Sequence, residues 1–228
     1  MKKIIIALLL TPTILCAGVN LKNGNFYTNY TDIIVPGSSN DLSVVRTYNS
    51  KATTKGWFGY GWGSDYETKL SVTADGSIVI HENGSGAETV FVPSTPIDPN
   101  AAANLIITEM KKKSDISGVV EKNLMKKMVE DADLRTTYAK KLGVKAAIPS
   151  GTNLYSTVRG KQRLSVSAEG YVRYFDSDRT QLFNKDGNLT QVKDKNGYAI
   201  SFEYKNGKLY AIKDSDAKQL FFEWGEEG

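Results

Sequence analysis

Thiol and imidazole chemistry is nearly missing from this chain, whose 228 residues include one cysteine and one histidine. Cys16 falls in the amino-terminal stretch read below as a leader. The mature chain would then have no thiol, which excludes a disulfide, a Cys-ligated zinc site and a thiol nucleophile. His81 stands between Ile80 and Glu82 in an alternating run. A serine triad would have to be assembled on that single imidazole, so the residue reads as an ordinary strand histidine. No apolar run approaches the roughly 20 residues needed to cross a bilayer, so no integral membrane segment is expected. The formal charge is only +4, and its excess lies in one place, residues 99–148, with ten Lys and Arg against six Asp and Glu. No run of arginines interleaved with aromatics occurs there, and nucleic-acid binding is not expected.

What is present points to a folded, strand-rich chain: 40% apolar residues, 10% aromatic, 24% charged and 20 glycines. At the start, Met1-Lys-Lys3, an apolar run to Leu10 and then Leu15-Cys-Ala17 have the pattern of a secretory leader, with cleavage expected after Ala17. Export to a periplasmic, cell-surface or extracellular location follows from it. From residue 19 onward, short alternating runs are separated by turn chemistry at Asn23-Gly24, Pro36-Gly37, Asp75-Gly76 and Asn83-Gly-Ser-Gly86. The run beginning at Leu42 and ending at Ser50 alternates as a strand. Residues 56–62 bring Trp57, Phe58, Tyr60 and Trp62 together with three glycines, which reads as a packed aromatic corner.

Composition then changes. Pro93, Pro96 and Pro99 punctuate a linker, and residues 101–113 and 118–142 are rich in Ala, Leu, Met, Glu and Lys. Val120, Leu124 and Met128 fall four apart, as do Leu134, Tyr138 and Leu142, giving helical faces that end at Gly143. After Pro149-Ser-Gly151 the alternation resumes. The last sixty residues carry an internal repeat: the run from Gly187 to Asp194 recurs from Gly207 to Asp214, and Ile200-Ser-Phe-Glu-Tyr204 recurs as Leu220-Phe-Phe-Glu-Trp224. Turns are expected at Asn196-Gly197 and Asn206-Gly207. Ile200, Phe202 and Tyr204, like Leu220, Phe222 and Trp224, share one strand face that neighbouring units must cover.

The ordered blocks Asn23-Gly-Asn25, Val35-Pro-Gly37, Val45 to Ser50 and Phe58-Gly-Tyr-Gly-Trp62, followed by the 20-residue units, resemble the amino-terminal domain and first repeats of Rhs/YD-repeat proteins. The resemblance covers about residues 20–92 and 160–224. It implies a β-shell segment belonging to a polymorphic-toxin delivery or encapsulation system. Asp98-Pro99 is followed by Asn100-Ala101 and is not the self-cleavage motif of that family, and no toxin domain is recognised.

The expected architecture is therefore mainly β: antiparallel hairpins and a YD-type repeat sheet with an α-helical insertion. Its expected divisions are 1–17 leader, 18–92 amino-terminal β domain, 93–150 linker and helices, and 151–228 repeat region. Asp176, Asp178, Asp186, Asp194, Asp214 and Asp216 sit beside turns and read as turn-stabilising residues, not as a metal site. No catalytic residue, cofactor or metal is expected, and the chain reads as a structural segment that is not an enzyme. Its expected partner is a protein, either the rest of such a shell or a second copy joined through the edge from Leu220 to Trp224. The alternative is a glycan- or cell-surface-binding module using Trp57, Phe58, Tyr60 and Trp62.

Overall fold

The computed structural model describes residues 17–37, 40–95, 97–156, 158 and 160–225. The leader reading falls outside these, except that Ala17 opens β1 by pairing with Thr28. The first sheet contains β1 (Ala17–Asn20), β2 (Asn25–Val35), β3 (Leu42–Asn49) and, after the two-residue ladder of β4 (Lys55–Gly56) with β5 (Gly59–Tyr60), β6 (Trp62–Ser64). Its order is β1-β2-β3-β6, all antiparallel, so the alternating run that begins at Leu42 is an interior strand.

A 3₁₀ turn at Asp65–Glu67 leads into the second sheet. There β7 (Lys69–Val72), β8 (Ile78–Glu82) and β9 (Ala87–Pro93) are followed by three helices, α1 (Pro99–Lys111), α2 (Gly118–Glu130) and α3 (Ala132–Leu142). The sheet then continues through β10 (Asn153–Ser156), β11 (Gln162–Val166), β12 (Gly170–Phe175), β13 (Thr180–Asn184), β14 (Leu189–Lys193), β15 (Ala199–Lys205), β16 (Lys208–Asp214) and β17 (Gln219–Phe221). All eleven strands lie in chain order. The mainly β expectation with a helical insertion holds. The insertion interrupts the chain but not the sheet, because β10 pairs directly with β9, Leu154 opposite Pro93.

Turn chemistry sets this meander. Asn184, Asp194 and Asp214 each open a turn in which the side-chain Oδ1 accepts from the backbone N–H groups two and four residues on, at 2.8–3.1 Å. The fourth residue takes positive φ: Gly187 at 82°, Gly197 at 91° and, in the third turn, Ala217 at 66°. The 20-residue period is thus a period of turns, 194 to 214 and 197 to 217, and β14 to β17 form a single paired run.

The second sheet curls until its first strand meets the approach to β14. Leu70 N–H donates to Gly187 O at 2.8 Å, and Lys69 bridges Asn188. A side chain at residue 187 would place its Cβ 1.9 Å from Leu70 O, so close approach and positive φ both require glycine. Inside the curl, Leu70, Ile78, Ile80, Phe91, Leu164 and Leu189 are buried. Beyond it, Phe202, Leu209 and Ile212 pack with Leu42, Val44 and Tyr66 of the first-sheet region, the Tyr66 and Phe202 rings meeting edge-on at 5.5 Å.

The helices have a small core of their own: Ala103, Ile106, Met128, Ala139 and Val144, joined by Ala74 from the β7–β8 turn. The second apolar stretch is two helices and not one, because Asp131 ends α2 in an extended conformation and caps α3 by accepting from Leu134 N–H. Gly143 closes α3 at φ 71°. Of the expected helical faces, Leu124, Met128, Leu134, Tyr138 and Leu142 pack in this core, whereas Val120, in the first turn of α2, stays 64% exposed.

Candidate functional site

The aromatic corner is built by a tight reversal. β4 and β5 pair over two residues, and a Cβ at Gly56 would lie 2.1 Å from Trp62 O. The four rings face different neighbours. Trp57 packs on the carboxyl-terminal strand region, 5.2 Å edge-on from Trp224 and 6.1 Å from Phe222. Trp62 lies between Tyr48 at 5.0 Å and Tyr30 at 5.9 Å on the first sheet, with the Arg46 guanidinium 5.0 Å from its ring. Phe58 is 36% and Tyr60 73% exposed. The corner is therefore divided between packing and surface.

Under it lies Glu67. Its Oε2 accepts from Trp57 N–H at 2.9 Å, while its buried Oε1 has no hydrogen-bond partner among the described residues. Burial pushes this carboxyl up to about 7, against the lowering effect of backbone hydrogen bonds from Trp57 and Ser64 and of the Lys69 charge.

Between β2–β3 and β17 the corner opens into a groove of about 460 Å³. Its apolar wall includes Ile33, Val44, Trp57, Leu220 and Phe222. At its rim the Arg46 Nε and an Asp32 carboxylate oxygen are 3.0 Å apart. Trp224 is fixed by its indole N–H, which donates to Leu209 O at 2.7 Å. Phe222 and Trp224 thus have cover from Trp57 of the corner, where the repeat reading expected a neighbouring unit, and among the described residues no strand pairs with the outer edge of β17. An apolar groove beside an open strand edge is suited to receiving an extended segment.

The other polar groups singled out from sequence fall elsewhere. Asp194 and Asp214 hold their turns as described. For Asp214, burial alone would raise the carboxyl, but hydrogen bonds from Lys218 and Tyr198 outweigh it and hold it below the ordinary carboxylate value. Lys218 also donates to Asn40 O at 2.7 Å, tying the last turn to the loop before β3.

His81 lies on β8, a strand residue as expected, with two polar side chains on its ring nitrogens. Its Nε2 is 3.0 Å from Ser71 Oγ and its Nδ1 3.0 Å from Glu88 Oε1. Sequence scanning missed the grouping because the three residues lie on three strands. The two turns flanking β8 would have revealed it, since they fix His81 opposite both Lys69 and Glu88.

Comparison with known proteins gives two kinds of similarity. Residues 17–91, from β1 to within β9, match a family described as a domain of unknown function, DUF6531. Over 222 residues, 92% of this chain, it is 23% identical to the tRNA3(Ser)-specific nuclease WapA of Bacillus spizizenii, of which it covers 9%. Over 91 residues, 40% of this chain, it is 30% identical to the tRNA nuclease WapA of Bacillus subtilis strain 168, of which it covers 4%. These names overturn the expectation that the chain is not an enzyme. That expectation came from an inventory of side chains in 228 residues, which cannot speak for proteins of which this stretch matches less than a tenth. The chain is thus distantly similar to bacterial proteins named as tRNA nucleases, and its first third matches a domain family described only as of unknown function.

Proposed function

We propose that this chain is the scaffold segment of an exported Rhs/YD-type protein, and that its open β17 edge and adjoining groove receive further strands of the same kind. The observation that carries this reading is the eleven-strand meander in chain order, three of whose last four turns share one design, ending in a strand whose outer edge is unpaired among the described residues. Each additional hairpin would bury its apolar face on the previous one, so the structure grows by nearest-neighbour contacts. Similarity to proteins named as tRNA nucleases supports a larger protein whose activity is tRNA cleavage, with this segment as its framework. The leader pattern of residues 1–17 supports export, and among the described residues no helix is long and apolar enough to cross a membrane.

The test is association. The isolated chain should self-associate, or bind a following repeat fragment of such a protein, with micromolar or tighter affinity. Phe221→Pro should abolish this, because proline removes an N–H from the edge strand and fixes φ. A monodisperse monomer with no affinity for any such fragment would overturn the proposal. Tyr60 and Phe58, the exposed members of the corner, support glycan stacking as a second reading. Under it, Tyr60→Ala would abolish retention on a glycan array, and under the scaffold reading it would change neither folding nor association.

A further inference from the structure

On the outer face of the second sheet, beneath α3, three side chains form a hydrogen-bonded chain that the scaffold reading does not use. Ser71, His81 and Glu88 stand on the neighbouring strands β7, β8 and β9. Strand alternation turns Leu70, Ile80 and Thr89 into the core and these three outward. His81 faces Glu88 directly across the β8–β9 pair, while Ser71, paired with Val79, lies diagonally from it across β7–β8.

Glu88 Oε1 lies 3.0 Å from His81 Nδ1 and Ser71 Oγ 3.0 Å from His81 Nε2, so a neutral ring that donates from Nδ1 to the carboxylate presents its Nε2 lone pair to the serine hydroxyl. The competing acceptor for the serine hydroxyl, Val79 O, is farther at 3.5 Å. This is the order nucleophile, base, orienting carboxylate on which serine acyl transfer depends.

The three residues line a cleft of about 310 Å³ whose other wall is α3 and the residues after it. That size lies at the low end of small-molecule sites. Val79, Ala139 and Val144 provide apolar lining, and Lys140 and Lys145 bring positive charge to the cleft. The sheet face and the helical insertion together make the cavity, and neither alone would enclose it. It shares no lining residue with the groove beside β17.

We propose that Ser71, His81 and Glu88 form a serine acyl-transfer site that cleaves esters of small carboxylic acids. Ser71 Oγ attacks the acyl carbon, and its proton passes to His81 Nε2 as the oxygen–carbon bond forms. The positive charge of Lys140 and Lys145 favours the resulting oxyanion. The bond to the alcohol then breaks, and the alkoxide leaves with the proton from His81. Water repeats the sequence on the acyl-serine: it gives a proton to His81 as it attacks, and Ser71 Oγ recovers that proton as the carboxylic acid departs. Glu88 is a positioning residue. It holds the imidazole in one tautomer and balances the imidazolium formed in each half-reaction.

The test uses the whole chain, a fluorophosphonate probe read by mass spectrometry, and turnover of p-nitrophenyl acetate and butyrate. The wild-type protein should be labelled on Ser71 and turn over at least one of the two esters. Ser71→Ala and His81→Asn should each lower kcat by about 100-fold or more. Glu88→Gln should lower kcat about tenfold with KM unchanged, and Glu88→Asp should recover part of the loss, a split that a purely structural hydrogen bond would not produce. Absence of label on Ser71 in the folded wild-type chain, or Ser71→Ala turnover equal to wild type, overturns the proposal. The labelling arm does not depend on how any variant folds.

Discussion

Glu67 concentrates the electrostatic strain of the aromatic corner in one carboxyl, and the sign of its effect on stability follows from its position. With the folded-state value near 7 and the ordinary value near 4.5, the folded protein holds a proton between those pH values that the unfolded chain has released. Stability from this group is therefore lost as pH rises through that window and levels off above it. Glu67→Gln, which mimics the protonated form, should flatten that part of the profile. It should also leave the protein more stable than wild type at pH 8 by on the order of 1–2 kcal/mol, discounted for partial solvent access. Urea denaturation at pH 5 and pH 8 reads this directly. Ala217 offers a second test at this scale. It occupies the left-handed position that glycine fills in the two sister turns, so Ala217→Gly should raise stability by about 1 kcal/mol, seen as a higher Tm. The turn dipeptides and the period were legible in sequence, but Glu67 was not, because its burial is created by the folding of residues 56–62 over it.

Among the elements, the helical insertion tests how far the sheet depends on what interrupts it. Its own core is small, and its main links to the sheet are Ala74 and the bond from Ala146 N–H to Thr73 O at 3.0 Å. β9 and β10 already lie side by side where the insertion leaves and returns. Replacing residues 95–151 by a short Gly-Ser loop should therefore preserve the strand signal in far-ultraviolet circular dichroism and the amide protection of β8, β9 and β11. Loss of protection throughout the sheet would show instead that the helices hold it together. The same deletion removes one wall of the cleft over Ser71. The start of α1 after Asp98 and the end of α3 at Gly143 were legible, but the break at Asp131 and the packing of α3 over β7 and β8 were not, since nothing in a local pattern says which sheet face a helix covers.

For the molecule as a whole, the curl of the second sheet is secured by a buried arginine. Arg173 of β12 is 2% exposed, and its Nη2 pairs at 2.7 Å with Oε1 of Glu82, a residue 91 positions earlier on β8. Its Nε and Nη1 donate to Gln162 and Gln181 at 2.8 and 3.0 Å, and its guanidinium lies 4.3 Å from the Phe175 ring. β12 and β8 are separated by three strands in the sheet order, so only strong curvature can bring these groups together. Arg173→Met should cost about 3 kcal/mol, because it leaves a largely buried carboxylate without the guanidinium, whereas Arg173→Met with Glu82→Leu should recover much of the loss. Urea midpoints of the single and double variants separate the two outcomes.

The sequence by itself determined the strands, their turns, the 20-residue period and the presence of helices after Pro99, because each depends on residues within a few positions of one another. Tertiary structure alone decided that the sheet runs unbroken past the helices, that Trp57 and Trp62 turn to different neighbours, and that Ser71, His81 and Glu88 meet under α3. Those outcomes depend on curvature and strand register, which combine many small local twists into contacts between distant parts of the chain.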